Sequence, residues 1–290
     1  MAKPLAFVRM RKKFVINLRD GRSIVLGDRT VVVGVLNVTP DSFSDGGLHF
    51  DVVQAVDRAL ELEAEGADVV EIGGESTRPG SVRVSVEQEL SRVLPVLRKL
   101  KGLRVPIAID TYKSQVAAEA IALGASIVND ISALRFDPSL ASVVARERAA
   151  LVLMHMRGEP ATMQRMDPSP EIFSEITSDL NKAISLAESQ GVRRDMLVVD
   201  PGIGFGKTLE QNLAILNHLE RFEKLNLPLM IGTSRKSFIG RITGRTETER
   251  AFGSAASIAI AILRGAHLLR VHDVKEMVDV IRVADAIVMA

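Results

Sequence analysis

Cysteine and tryptophan are both absent from the 290 residues, and tyrosine occurs once. Without thiols, a disulfide framework, a thiolate metal site and a thiol nucleophile are all excluded. Aromatic residues make up 4%, too few for the stacking platforms that single-stranded nucleic acid needs. A charge excess is missing too. Lys and Arg number 37 against 36 Asp and Glu, a net +1, which argues against a general nucleic-acid binder with a basic face or tail. Any anion site must therefore be local. The longest apolar stretch, near 255–263, falls far short of the roughly 18 residues that cross a bilayer. Residues 1–14 are too basic and interrupted to hold the apolar heart of a signal peptide. The expected compartment is the cytoplasm, with neither membrane nor nucleic acid as a partner.

What is present suits one large α/β unit. Hydrophobic residues make up 47% and charged residues 25%, enough for a sizeable core, and one (β/α)8 barrel takes roughly 250 residues. Residues 1–290 are read as one domain. Asp20-Gly21 between two short apolar runs signals a hairpin over 14–27. After it, short β-branched runs alternate with longer amphipathic ones. Strands are expected at 31–36, 68–72, 106–109, 126–128, 151–154, 196–199, 228–231 and 267–271. Helices are expected at 51–65, 85–100, 113–123, 138–148, 170–190, 209–219, 247–264 and 273–288. Near-continuous apolar strands alternating with helices mean parallel strands covered on their outer face. Eight such units with no linker favour a closed (β/α)8 TIM barrel over an open sheet. The hairpin precedes the first barrel strand and is expected to close the N-terminal, lower end.

Chemistry in such barrels sits at the C-terminal ends of the strands. Those ends read Asn37, Gly73-Gly-Glu75, Asp110, Asn129-Asp130, His155, Asp200, Thr233-Ser-Arg-Lys236 and His272-Asp273, with Arg270 just inside the last. Nearly every strand ends on a polar residue, and no such bias marks the other end. Asp110, Asn129 and Asp200 would converge as acceptors plus an amide, suited to a planar heterocycle that shows N–H donors beside a carbonyl. Helix capping is the plain alternative for each of the three. Gly202-Ile-Gly-Phe-Gly-Lys-Thr208 fails both the Walker and the dinucleotide patterns, because Pro201 and Lys207 stand where glycines belong. It reads as a tight loop that brings backbone close to a planar ligand.

Ser234-Arg-Lys-Ser237 precedes a helix and offers hydroxyls, N–H groups and a helix N-terminus to an anion. Arg270 and His272 alternate along one strand and share a face. Arg78 lies in the turn-rich Ser76-Thr-Arg-Pro-Gly80. Together these cations suit a diphosphate; singly, each reads as an ordinary surface charge. The polar exit loop Asn37-Val-Thr-Pro-Asp-Ser-Phe-Ser-Asp-Gly-Gly47 gives Asn37 and Asp45 as oxygen donors for Mg2+, or else an ordinary turn. His155, between two methionines, reads as a packed loop residue. No Ser-His-Asp triad or zinc cluster is visible.

Taken together, these segments resemble dihydropteroate synthase. The matching stretches are 34–47, 73–80, Ile109-Asp-Thr111, Val128-Asn-Asp-Ile131, Leu153-Met-His-Met156, Asp200-Pro-Gly-Ile-Gly-Phe-Gly206, Gly232-Thr-Ser-Arg-Lys-Ser237 and Arg270-Val-His-Asp273. They span almost the whole chain, Met1 to Met10 fall outside the resemblance, and the first two are the most specific. The resemblance implies a transferase of folate biosynthesis that joins 6-hydroxymethyl-7,8-dihydropterin pyrophosphate to p-aminobenzoate. It implies that Asp110, Asn129, Asp200 and Lys236 hold the pterin, with Met154, Phe205 and Gly232 lining the slot and Arg270 against its face. Asn37, Arg78, Arg270 and His272 would hold the pyrophosphate, with Mg2+ at Asn37 and Asp45. Phe43, Thr77, Pro79, Lys236 and Ser237 would receive p-aminobenzoate. Asp45, Arg78, Lys236, Arg270 and His272 would carry the chemistry, in a homodimer open to sulfonamides. Two rivals share the scaffold. A methyltetrahydrofolate:corrinoid methyltransferase would leave Arg78, Lys236 and His272 idle. A non-catalytic pterin-binding barrel would have no need to keep the loops intact.

Overall fold

A computed structural model describes residues 11–39, 47–78 and 80–290, with backbone alone from 47 to 51. The chain opens with two antiparallel strands, β1 (Phe14–Asn17) and β2 (Ser23–Leu26), in register Phe14↔Leu26. Gly21 takes the left-handed conformation that the turn needs, at φ +85°. Burial alternates along the hairpin, so Ile16, Ile24 and Leu26 face the core while Val15 and Val25 stay exposed.

Eight parallel strands follow: β3 (Val31–Asn37), β4 (Val69–Gly73), β5 (Ile107–Asp110), β6 (Ala125–Asp130), β7 (Ala150–Met154), β8 (Leu197–Asp200), β9 (Met230–Ile231) and β10 (Leu268–Val271). Their order is β8-β7-β6-β5-β4-β3-β10-β9, and a parallel bridge between Val199 and Leu229 joins the two ends. The sheet is thus a closed barrel. Helices cover its outside: α1 (Gly47–Ala64), α2 (Val86–Lys99), α3 (Ser114–Ala122), α4 (Leu140–Glu147), α5 (Ile172–Ser189), α6 (Leu209–Asn217), α7 (Ser237–Thr243), α8 (Ala251–Leu263) and α9 (Val274–Met289). One continuous apolar core runs from Ile16 to Val288. Helix ends follow local chemistry. Ser85 with Gln88, and Thr208 with Gln211, form reciprocal capping boxes. Gly244, at φ +71°, ends α7.

The hairpin covers the lower end as expected. Arg19 donates to the carbonyls of Ile121 and Glu147 at the ends of α3 and α4, and Arg22 donates to Arg104 O just ahead of β5. That end carries a buried polar group of its own, built from residues outside the barrel strands. Arg11 donates to Asp285 Oδ1 (2.7 Å) and Ala266 O (3.0 Å), and Asp285 Oδ2 accepts from Thr30 N (2.7 Å). These groups are spent on one another, whereas those at the upper end face a cavity.

Strand boundaries differ in one consistent way. Asn37, Gly73, Asp110, Asp130 and Asp200 are the last residues of strands, and Asn129 the next to last of its own, rather than the first of loops, because their backbones still pair with a neighbour. The expected strand at 228–231 shortens to two residues, since Pro228 has no N–H to give the ladder. The expected helix at 247–264 is a short 3-10 turn at Glu247–Glu249 followed by α8.

Candidate active site

The upper end of the barrel holds a cavity of about 480 Å3, lined among others by Asn37, Thr77, Arg78, Phe205, Lys236, Ser237, Arg270 and His272. Every one of these was expected at a site from the sequence. Behind its Arg270 and Lys236, outside that lining, lies a buried acidic group. Asp110, at the end of β5, is 6% exposed and accepts from Arg270 Nη2 at 2.9 Å, although the two lie 160 residues apart. Arg270 Nε reaches Glu71 Oε1 at 2.5 Å, so one guanidinium bridges two buried carboxylates. Burial and the neighbouring Glu71 push the Asp110 carboxyl well above the usual carboxylate range, against the pull of Arg270. Asn129, at the end of β6, donates through Nδ2 to Glu71 Oε2 at 3.0 Å, while its Oδ1 is buried with no protein partner. Asp200, at the end of β8 and 2% exposed, accepts from Gly202 N at 2.7 Å, and burial raises its pKa.

One wall is apolar. Met154, Ile131, Tyr112, Met156 and Met163 form a small cluster with Phe205 packed against it, and Met163 and Phe205 line the cavity. Phe205 sits on the loop that follows Asp200, and three glycines there adopt positive φ. At Gly202 nothing larger fits, because a Cβ would meet His155 O at 1.8 Å. Lys207 holds this loop from within. Its Nζ contacts Gly202 O (2.8 Å), Phe205 O (3.1 Å), His155 O (3.3 Å) and His155 Nδ1 (3.1 Å). Burial lowers Lys207 to about 7 and His155 to about 2, so His155 is neutral at pH 7.

The lip is cationic. Lys236 caps the entrance to α7, donates to Ile203 O and sits 4.8 Å from the centre of the Phe205 ring. Burial lowers it to about 8, although Asp200 pulls the other way. Gly232 leaves the space between Arg270 and Lys236; a Cβ there would lie 3.6 Å from Arg270 Cβ and 3.7 Å from Lys236 Nζ. Arg235 is held at φ +58° by its ion pair with Asp273 and by hydrogen bonds from Arg235 N to Ser254 Oγ and from Arg250 to Arg235 O. His272 contacts Ser234 Oγ through both its backbone N and Nδ1 (3.2 Å each), and burial beside Arg270 lowers it to about 3. Arg78, exposed on the loop after β4, reaches across the mouth to Glu247 at 2.8 Å. Ser237 is exposed at the start of α7, whose seven residues give only a small dipole; its hydroxyl and N–H are what it offers. Phe43, Asp45 and Pro79 lie outside the described residues.

Comparisons with known proteins give the family. Residues 33–272 match the family model described as pterin binding enzyme. The dihydropteroate synthase of Synechocystis sp. is 43% identical over 90% of this chain and 91% of its own. The chain belongs to the dihydropteroate synthase family. It is therefore an enzyme, a transferase of folate synthesis. Two solved synthases superpose closely: that of Xanthomonas albilineans with 4-aminobenzoic acid (43% identity, TM-score 0.88, 95% of this chain and 98% of that one) and that of Yersinia pestis with a sulfonamide drug (38%, 0.88, 94% and 98%).

Several residues of this synthase were given no part in the site by the sequence reading. Glu71 sits mid-strand rather than at a strand end; its signal was a lone acid in the apolar run Val69-Val-Glu-Ile72. Lys207 had served only to exclude a nucleotide motif. Glu75, 7% exposed, pairs with Lys113 and accepts from the Tyr112 hydroxyl (3.0 Å), fixing the base of the loop that carries Thr77 and Arg78. His155, Glu175 and Asp179 bring three possible ligand atoms within 4.8 Å of one another. Lys207, Arg157 and Lys182 already surround them, so this is an ion-pair cluster rather than a metal centre.

Proposed function

We propose that this cup condenses 6-hydroxymethyl-7,8-dihydropterin pyrophosphate with p-aminobenzoate, giving 7,8-dihydropteroate and pyrophosphate. The observation that carries the reading is the floor: Arg270 bridging Glu71 and Asp110 below a cationic lip, with Asn129 Oδ1 left without a protein partner. Buried acceptors without partners are costly, and a heterocycle with a donor edge satisfies them. Asp110, Asn129 and Asp200 take that edge. Lys236 and Arg270 flank the ring, and Met154, Phe205 and Gly232 shape the slot. Asn37, Arg78, Arg270 and His272 hold the pyrophosphate. His272 does so as a neutral donor, given its lowered pKa. Thr77, Ser237 and Lys236, with Phe43 and Pro79, receive p-aminobenzoate, the position a sulfonamide would take.

The C–O bond to pyrophosphate breaks, the amine nitrogen bonds to the methylene carbon, and one amine proton leaves. An aniline nitrogen is a modest nucleophile, so help falls on the leaving group. Arg78 and Arg270 supply positive charge there. Asp110 and Asp200 favour cationic character on the pterin, so departure runs ahead of attack. The hard oxygen of Asn37 at the cavity suits Mg2+, with Asp45 as the second donor. When bound, Mg2+ would neutralise charge on the pyrophosphate.

The reading extends to a cytoplasmic homodimer. No helix of the described residues is long and apolar enough to cross a membrane. The dimer face proposed is α8, where Phe252 is 91% exposed beside Glu247 and Arg250 of the cavity rim. Sedimentation velocity on the parent and on Phe252→Asp tests it, with a monomeric parent counting against. For the activity, pyrophosphate release is measured with both substrates and Mg2+, then with each omitted. Release that does not depend on the aromatic amine removes the synthase reading.

A further inference from the structure

We infer that Glu71 is a positioning residue that decides which face of the Asn129 amide meets the pterin, and so which hydrogen-bonding edge the cup accepts. The inference rests on the synthase reading and deepens it.

Glu71 is 1% exposed in the middle of β4. Its two oxygens are divided between two strands. Oε1 accepts from Arg270 Nε of β10 at 2.5 Å, and Oε2 accepts from Asn129 Nδ2 of β6 at 3.0 Å. A carboxylate paired with a guanidinium only accepts. The Asn129 amide must therefore turn its NH2 toward Glu71. Its carbonyl oxygen is then compelled to face away, and that oxygen is the buried one with no protein partner. Asn129 alone is ambivalent, able to donate or accept toward a ligand. Glu71 makes it an acceptor. With Asp110 and Asp200, the cup presents acceptors to a donor edge, the ring N–H and exocyclic amine of a 2-amino-4-oxopteridine.

A scaffolding role would look the same at rest but would respond differently to substitution. In Glu71→Gln the side chain keeps its size, and its carbonyl oxygen stays with Arg270. Its NH2 then faces Asn129, which turns over to offer Oδ1 and points its own NH2 at the donor edge of the pterin. Adding Asn129→Asp restores an acceptor on the pterin side while total charge stays that of the parent. Arg270 keeps an acceptor at position 71, and Asp110 beside it, in both variants.

The test is calorimetric titration of the folded enzyme with 6-hydroxymethylpterin, beside pyrophosphate-release kinetics. Glu71→Gln is expected to weaken pterin binding by about ten- to hundredfold, the effect of a buried acceptor replaced by a donor that meets the donor edge unpaired. Glu71→Gln/Asn129→Asp is expected to return to within about fivefold of the parent, as a lost orienting partner predicts and a lost scaffold does not. Parent-like binding in the single variant, or no recovery in the double, overturns the inference. If Glu71→Gln does not fold, Glu71→Asp takes its place, since it keeps both acceptor oxygens. Binding within about tenfold of the parent supports the role, and a loss as large as that of Asn129→Ala overturns it. The parent's own amine-dependent release separates the two failures: without it the synthase reading falls, whatever Glu71 does.

Discussion

Replacing Asp200 with Asn isolates one oxygen at the floor of the cup. Asp200 Oδ1 already accepts from Gly202 N at 2.7 Å, inside the turn that starts the Phe205 loop. An asparagine keeps that bond with its carbonyl oxygen, so its NH2 is forced toward the ligand, where an acceptor stood. A donor then meets the donor edge of the pterin. A hydrogen bond to a charged group contributes about 1.5–3 kcal/mol, so pterin affinity should fall by roughly 10- to 150-fold. Stability should respond in the opposite sense. Burial raises the Asp200 pKa above its usual 3.8, so the folded state pays to keep this carboxylate charged, and the penalty grows as pH rises through that range. A neutral side chain removes the penalty, and the melting temperature at pH 7 should hold or rise. The assay pairs calorimetric titration of 6-hydroxymethylpterin with a thermal melt of the same sample. An affinity within about threefold of the parent would falsify the placement of Asp200 against the pterin. A collapse in melting temperature would refute the retained turn.

Three further outcomes follow from the geometry. Lys236 is lowered from 10.5 to about 8, so its charge, and the binding it supports, should be lost as pH rises through about 8; a pH–Kd profile for p-aminobenzoate with no inflection there would remove Lys236 from the site. The stability sign is reversed for this group, because the cost of burying the ammonium applies below about 8 and is relieved between there and 10.5. Arg11→Ala strands the buried Asp285 and should cost about 3–5 kcal/mol in urea unfolding, with kcat per folded molecule unchanged because the pair sits at the far end of the barrel. Gly202→Ala places a Cβ 1.8 Å from His155 O at φ +70°, which cannot be met without moving the Phe205 loop; crystals of this variant with the loop in its parent position would contradict the packing described.

The barrel was legible because eight apolar runs alternated with amphipathic ones, and every strand lies where a run was read. The site was legible where its residues end strands: Asp110, Asn129, Asp200 and His272 stand where polarity breaks an apolar run. Lys236 and Ser237 were marked by the turn before α7. Residues that act through others were harder to see. Glu71 interrupts a strand from within, and only the fold shows that Arg270, 199 residues later, answers its charge. Lys207 looked like a failed phosphate motif, because sequence cannot show three carbonyls turning inward onto one ammonium. The pairing of Arg11, Thr30 and Asp285 was out of reach because they are scattered along the chain and meet only when the first barrel strand packs against the last helix.

The hairpin also has a practical use. Its turn, Asp20-Gly21, is exposed at the closed end of the barrel, and the chain there runs antiparallel without serving the cup. A dye or a surface linker attached at that turn would leave the opposite mouth facing bulk solution. Immobilised enzyme on a sensor chip would then take up its substrates as freely as enzyme in a cuvette.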